Sequence, residues 1–116
     1  MSAVDHRREP RVQARTLVNA VTLSQSGFET DLSLGRTLDL SRDGMRLELD
    51  HALPPGSTLR LSVALEDHVL TIHGVVRYLR DVDARAWEMG IEFLDVLSVV
   101  DYEVLNHYLL DRRSLD

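Results

Sequence analysis

Arg7 and Arg11 stand four residues apart near the start of this sequence, and about thirty residues further on Asp39, Ser41 and Gly44 form a D-x-S-x-x-G string. Arginine is a planar, permanently charged fork. It grips phosphate, or the O6/N7 edge of guanine, through paired hydrogen bonds, and its plane stacks on a base. A carboxylate can accept the two donors, N1–H and N2–H, on the other edge of guanine. The Ser41 hydroxyl suits a phosphate or the bracing of a loop, and glycine lets backbone turn without side-chain bulk. Neither cluster decides anything alone. Arg11 and Arg15 repeat the four-residue spacing, and Asp39 to Gly44 also reads as a plain turn, because Asp and Ser bond nearby backbone and Asp43-Gly44 is a hairpin signal.

Charge narrows the chemistry. All 13 basic residues among 116 are arginine, against 19 acidic ones, for a formal charge of −6. Residues 1–15 carry Arg7, Arg8, Arg11 and Arg15 against Asp5 and Glu9, a balance of +2 that leaves −8 on residues 16–116. This predicts a flexible basic N-terminal arm, 1–15, on an acidic body. An acidic body is unsuited to coating DNA or RNA, and the few aromatics are too scattered to interleave a basic patch, so no DNA or RNA partner is expected. The absence of cysteine excludes disulfides, a thiol nucleophile, Cys-ligated zinc and iron–sulfur clusters. Of the histidines only His68 and His73 lie close together, with no third ligand at zinc spacing, so no metal is expected. Asp39 and Asp43 are paired carboxylates at the spacing of a turn, without a nucleophile–base pair, and the chain is read as not an enzyme. No apolar run approaches the roughly 20 residues of a membrane span, and Met1 to Arg15 has no signal-peptide core, which predicts a cytoplasmic chain without membrane insertion.

The elements that must position these residues show in the periodicity. Met45, Leu47 and Leu49 alternate with Arg46 and Glu48, and Leu59, Leu61, Val63 and Leu65 repeat the pattern, both marks of half-buried strands. Leu70, Ile72, Val76 and Tyr78 predict a further inward face, with His73, Arg77 and Leu79 opposite. Glu66-Asp67-His68 reads as the hairpin turn between these two strands, and Pro54-Pro55-Gly56 as a break before them. Leu17 to Leu23, Phe28 to Leu34, Thr37 to Leu40 and Met89 to Phe93 are further strand candidates, and Trp87 is expected to pack the body. After Asp95 the period changes. Ser98 with Asp101 resembles a capping box, and Tyr102, Leu105 and Leu109 follow helical spacing. The expectation is an all-β single domain, 16–95, with a C-terminal helix, 96–112, in which closely spaced antiparallel strands close into a small barrel and the helix plugs one end.

Taken together, Arg7 and Arg11, the spacing to Asp39-Leu40-Ser41-Arg42-Asp43-Gly44, the Met89-Gly90-Ile91-Glu92-Phe93 strand and the terminal helix resemble the PilZ domain family along nearly the whole chain. The resemblance implies a six-stranded antiparallel β-barrel that binds the bacterial second messenger cyclic di-GMP. It assigns Arg7 and Arg11 as the clamp, with Arg8 as a possible third guanidinium that would favour a stacked ligand dimer, and Asp39, Ser41 and Gly44 as the loop motif. It further implies a stand-alone receptor that relays the messenger through a changed surface to an effector protein, in processes such as motility or biofilm formation. The alternative is a PilZ-like scaffold in pilus or motility assembly that does not bind the nucleotide.

Overall fold

The structure is a computed structural model that describes residues 11–115, with side chains described through Arg112. Seven strands and one helix occupy the described residues: β1 (Val12–Gln13), β2 (Leu17–Leu23), β3 (Glu29–Leu40), β4 (Gly44–Leu49), β5 (Thr58–Leu65), β6 (His68–Asp83), β7 (Ala86–Val96) and α1 (Val99–Leu115). The strands hydrogen-bond in the order β1-β3-β2-β5-β6-β7-β4, and β4 pairs back onto β3. That last pairing closes six antiparallel strands into a barrel, with the short β1 continuing the line of β2 along β3. Closure leaves the six strands no continuous free edge.

Alternation sets the register. In β5, Leu59, Leu61, Val63 and Leu65 all point inward, and in β4 Met45, Leu47 and Leu49 do the same. Each such side chain contributes about 1.5–3 kcal/mol on burial. A slip of one residue would turn a whole set outward, so one pairing dominates. Val12 and Ala14, which the charge pattern assigns to the arm, are buried in the same core.

Three local readings differ from the structure. The two candidates at Phe28 to Leu34 and Thr37 to Leu40 are one strand, β3, and Phe28 lies outside it and exposed. Gly35 joins them: it pairs with Val18 and Leu49, and a Cβ there would sit 1.8 Å from the Glu48 carbonyl oxygen, so glycine serves a close strand approach. In β6 the inward phase holds through Val76 and then shifts at a bulge before Tyr78. Tyr78 is therefore 38% exposed, while Leu79 packs against the core, the reverse of strict alternation. On α1 the inward stripe is Leu105, Tyr108 and Leu109, and Tyr102 is 45% exposed.

Helix α1 packs chiefly against β6. Ser98 Oγ accepts from the Asp101 backbone N–H at 3.0 Å, which satisfies one orphan donor of the first turn. The Asp101 carboxylate does not reach back as in a capping box. It accepts instead from the Thr71 backbone N–H at 3.0 Å and lies 3.3 Å from His68 Nε2, tying the helix start to β6. No helix among the described residues is long and apolar enough to cross a membrane.

Candidate functional site

Arg11 is the last residue before β1, and β1 determines where it stands. Val12 pairs with Leu40 and Gln13 with Asp39, and the Ala14 N–H donates to the Leu38 carbonyl at 3.1 Å. Buried Thr37 secures the following turn, accepting from the Thr16 N–H at 3.0 Å and donating its hydroxyl to the Ala14 carbonyl. At this same end of β3, the chain reverses through Ser41, Arg42 and Asp43. The Ser41 N–H donates to the Gly44 carbonyl at 2.9 Å, and Ser41 Oγ lies 2.8 Å from Asp43 Oδ1 and 3.2 Å from the Gly44 carbonyl oxygen, its two alternative acceptors. The Phe93 N–H, donating to the Asp43 carbonyl at 2.9 Å, ties the turn to β7.

These placements converge on Asp39, which is 7% exposed. Arg11 Nε donates to Asp39 Oδ1 at 3.0 Å, and its terminal nitrogen donates to Ser41 Oγ at 3.4 Å, so residues 28 and 30 positions apart meet at one guanidinium. From β4, Arg46 Nε donates to Asp39 Oδ2 at 2.6 Å and the Arg46 backbone N–H to Oδ1 at 3.2 Å, at a bulge in the β3–β4 pairing. Hydrogen bonding to Asp39 raises the Arg46 guanidinium above its ordinary value, more than burial lowers it.

A second carboxylate extends the array. Glu88 Oε2 accepts from the Tyr78 hydroxyl at 2.8 Å, from Arg80 at 2.8 Å and from Arg46 at 3.4 Å. Burial pushes the Glu88 carboxyl up, but the bonds from Tyr78 and Arg80 and the charges of Arg80 and Arg46 together outweigh it and hold the group below its ordinary value. The same burial, followed by donation to Glu88, raises the Tyr78 phenol. Arg11, Arg46, Arg77 and Tyr78 line an open groove of about 390 Å³ together with Gly44, Gly90 and the carboxylates Asp43 and Glu92, the last paired with Arg77.

Of the residues expected from the sequence, the structure brings Arg11, Asp39, Ser41 and Gly44 to one place; Arg7 and Arg8 lie outside the described residues. The geometry bears on two expected roles. Gly44 has no positive φ; a Cβ there would stand 2.5 Å from the Ile91 carbonyl oxygen, so glycine is required by the approach of β4 to β7. Asp39, expected to face a guanine edge, has both oxygens engaged by arginines. Arg46, Tyr78 and Glu88 were not singled out as site residues. The outward phase of Arg46, two residues beyond Gly44, was the one available signal. Trp87 packs against the core, paired with Leu49. Among the described residues no three His, Asp or Glu side chains gather as a metal site.

The PilZ domain family model matches residues 5–111. Among solved structures, the chain is similar to the PilZ domain of YcgR from Escherichia coli with c-di-GMP, at TM-score 0.68 and 19% identity, covering 94% of this chain and 92% of that one. It is similar to the inhibitor of motility MotI/DgrA of Bacillus subtilis, at TM-score 0.68 and 20% identity over 95% of this chain and 52% of that one. A third likeness is to MrkH of K. pneumonia in complex with c-di-GMP, at TM-score 0.55 and 21% identity over 90% of this chain and 51% of that one. At these identities the likeness is one of fold. A search of curated proteins finds no match.

Proposed function

This chain belongs to the PilZ domain family, whose model spans residues 5–111, and from that premise we propose that it is a cytoplasmic receptor for cyclic di-GMP rather than an enzyme. The observation that carries the reading is the meeting of Arg11, Asp39 and Ser41, distant in sequence, at one guanidinium, that of Arg11, which also lines the groove. Two of the structural relatives, YcgR and MrkH, are solved with c-di-GMP.

The clamp consists of Arg7 and Arg11, assisted by Arg8, gripping phosphodiesters and guanine O6/N7. Because Asp39 is committed to Arg11 and Arg46, binding is an exchange of partners. The ligand phosphate takes over a guanidinium from Asp39, and the released carboxylate oxygen accepts guanine N1–H and N2–H. No buried charge is left unpaired at any stage, which keeps the exchange from incurring the desolvation penalty of an orphaned ion. Ser41 braces the loop and stays within reach of a phosphate, and Gly44 keeps β4 and β7 together beneath it. The bound arm presents a changed surface to an effector protein; the likeness to an inhibitor of motility makes motility a suitable output to assay.

Calorimetric titration with cyclic di-GMP tests this reading, with cyclic di-AMP as the comparison. Adenine lacks the N1–H and N2–H donors, so cyclic di-AMP is expected to bind at least about tenfold more weakly, the scale of one lost charged hydrogen bond. Absence of binding at high micromolar cyclic di-GMP would replace the receptor with the non-binding scaffold.

A further inference from the structure

We propose that the groove between the β5–β6 turn and α1 docks a basic segment of a partner protein, one in which arginine or lysine side chains flank an aliphatic anchor. The site lies apart from the dinucleotide groove, and the proposal holds whether or not the chain binds a nucleotide.

The groove forms where the β5–β6 hairpin meets one face of the helix. Leu65 pairs with His68, so Glu66 and Asp67 alone make the turn. Opposite them, Val100, Glu103, Val104, His107 and Asp111 recur at the three- and four-residue spacing of a single helix face. With Leu65 and Tyr108 these residues line an open groove of about 370 Å³. Its two walls are held together by Asp101 of α1, which accepts from the Thr71 N–H of β6 and lies beside His68. Leu65 and Tyr108 are buried, Val104 packs against the core, and Val100 is 57% exposed. The floor is therefore apolar, and its outer edge is open to a visiting side chain.

The rim is acidic. Glu66, Asp67, Glu103 and Asp111 line the groove with no arginine among them. None of these four carboxylates has a side-chain hydrogen bond or ion pair among the described residues, whereas Glu48, Glu29 and Glu92 on the strands are paired with Arg36, Arg60 and Arg77. Arg112, the residue after Asp111, places its guanidinium over the Tyr108 ring, 4.6 Å from the centroid. Four uncompensated charges along one concavity attract a cationic partner, and they repel a nucleic acid or a second copy of a chain of formal charge −6. The apolar floor favours a peptide segment over a small hydrated cation, because an arginine stem or a neighbouring leucine can cover it. The competing role is a solvated acidic face that keeps the chain soluble and binds nothing.

Glu66 provides a test that unfolding cannot mimic. Its φ of 56° is left-handed, a conformation that suits glycine, so Glu66→Gly removes a rim charge while relieving the backbone and should melt at or above the wild-type temperature. The isotope-labelled full chain, without nucleotide, is titrated by NMR with a synthetic peptide alternating arginine and leucine. The expected result is a saturable shift of the Glu66, Asp67, Glu103 and His107 amides that weakens as salt is raised. A glutamate–leucine peptide should give no shift, and an arginine–serine peptide should bind more weakly. Glu66→Gly combined with Glu103→Gln should reduce affinity for the arginine–leucine peptide by roughly threefold to thirtyfold, the scale of two exposed ion pairs. Absence of a saturable shift, shifts scattered over the acidic surface, or full affinity in the double variant would overturn the proposal. Equal binding of the arginine–serine peptide would reduce the groove to diffuse charge attraction and overturn it too. Shifts of the same amides on diluting the chain alone would assign the groove to a second copy instead. Because no nucleotide is present, failure here leaves the receptor reading intact.

Discussion

Through its side chain Asp39 ties β3 to β4 and to Arg11, just ahead of β1, so substituting it has two separable effects. Asp39→Ala should cost stability on the order of 1–3 kcal/mol, because the Arg46 backbone N–H at the bulge loses its acceptor, and urea titration measures that loss. It should also lower cyclic di-GMP affinity and reduce the preference over cyclic di-AMP; an unchanged preference ratio would leave Asp39 a purely structural acceptor. Arg11→Ala removes a half-exposed cation and should weaken binding by about tenfold or more while leaving the urea midpoint nearly unchanged. Arg15→Ala, the alternative register, should cost much less affinity. Glu88 supplies a pH signature. Its folded carboxyl titrates below its ordinary value of 4.5, so the unfolded chain binds protons more readily, and the contribution from Glu88 is present above that value and lost as pH falls through the folded one. The stability gap between wild type and Glu88→Gln should be widest near neutrality and narrow toward pH 3; a gap constant from pH 7 to pH 3 would contradict this ionic role.

At the scale of elements, Gly44 shows how a binding motif can also be a packing requirement. Gly44→Ala should destabilise by about 1–3 kcal/mol, since the backbone of Ile91 cannot move aside as a flexible side chain would, and the loss should appear in the denaturant midpoint even without ligand. Ser98→Ala should cost about 1 kcal/mol as a lost helix cap. Strands β4, β5 and the first half of β6 were legible in the sequence because each has one wet and one dry face, which writes a period of two into the residues. The bulge before Tyr78 was not legible, because a bulge is set by cross-strand pairing with β7 and leaves no mark in the β6 sequence alone. The same holds for the site. The D-x-S-x-x-G turn could be read locally, whereas Arg46, Tyr78 and Glu88 meet only through strand register. The inward face of α1 was misjudged at Tyr102 because the helix begins at the barrel rim, where its first turn overhangs solvent.

For the whole molecule, ligand binding should act as added stability. At a free ligand concentration of a hundred times Kd, linkage contributes about 2.7 kcal/mol, which for a domain of this size raises Tm by roughly 10 °C. Thermal melts across a cyclic di-GMP series check this, and a Tm independent of ligand would contradict the receptor. Amide exchange should show where that stability is deposited: new protection is expected at residues 5–11, ahead of the already paired β1, and unchanged exchange there at saturation would contradict arm closure. The position of Asp39 has an evolutionary consequence as well. Arg11 can be lost at little structural cost, whereas Asp39 also closes the barrel seam between β3 and β4. Drift away from nucleotide sensing is therefore easiest through the arm, and descendants of this chain that no longer bind the messenger should shed the arginines first and keep the aspartate as a relic of the barrel.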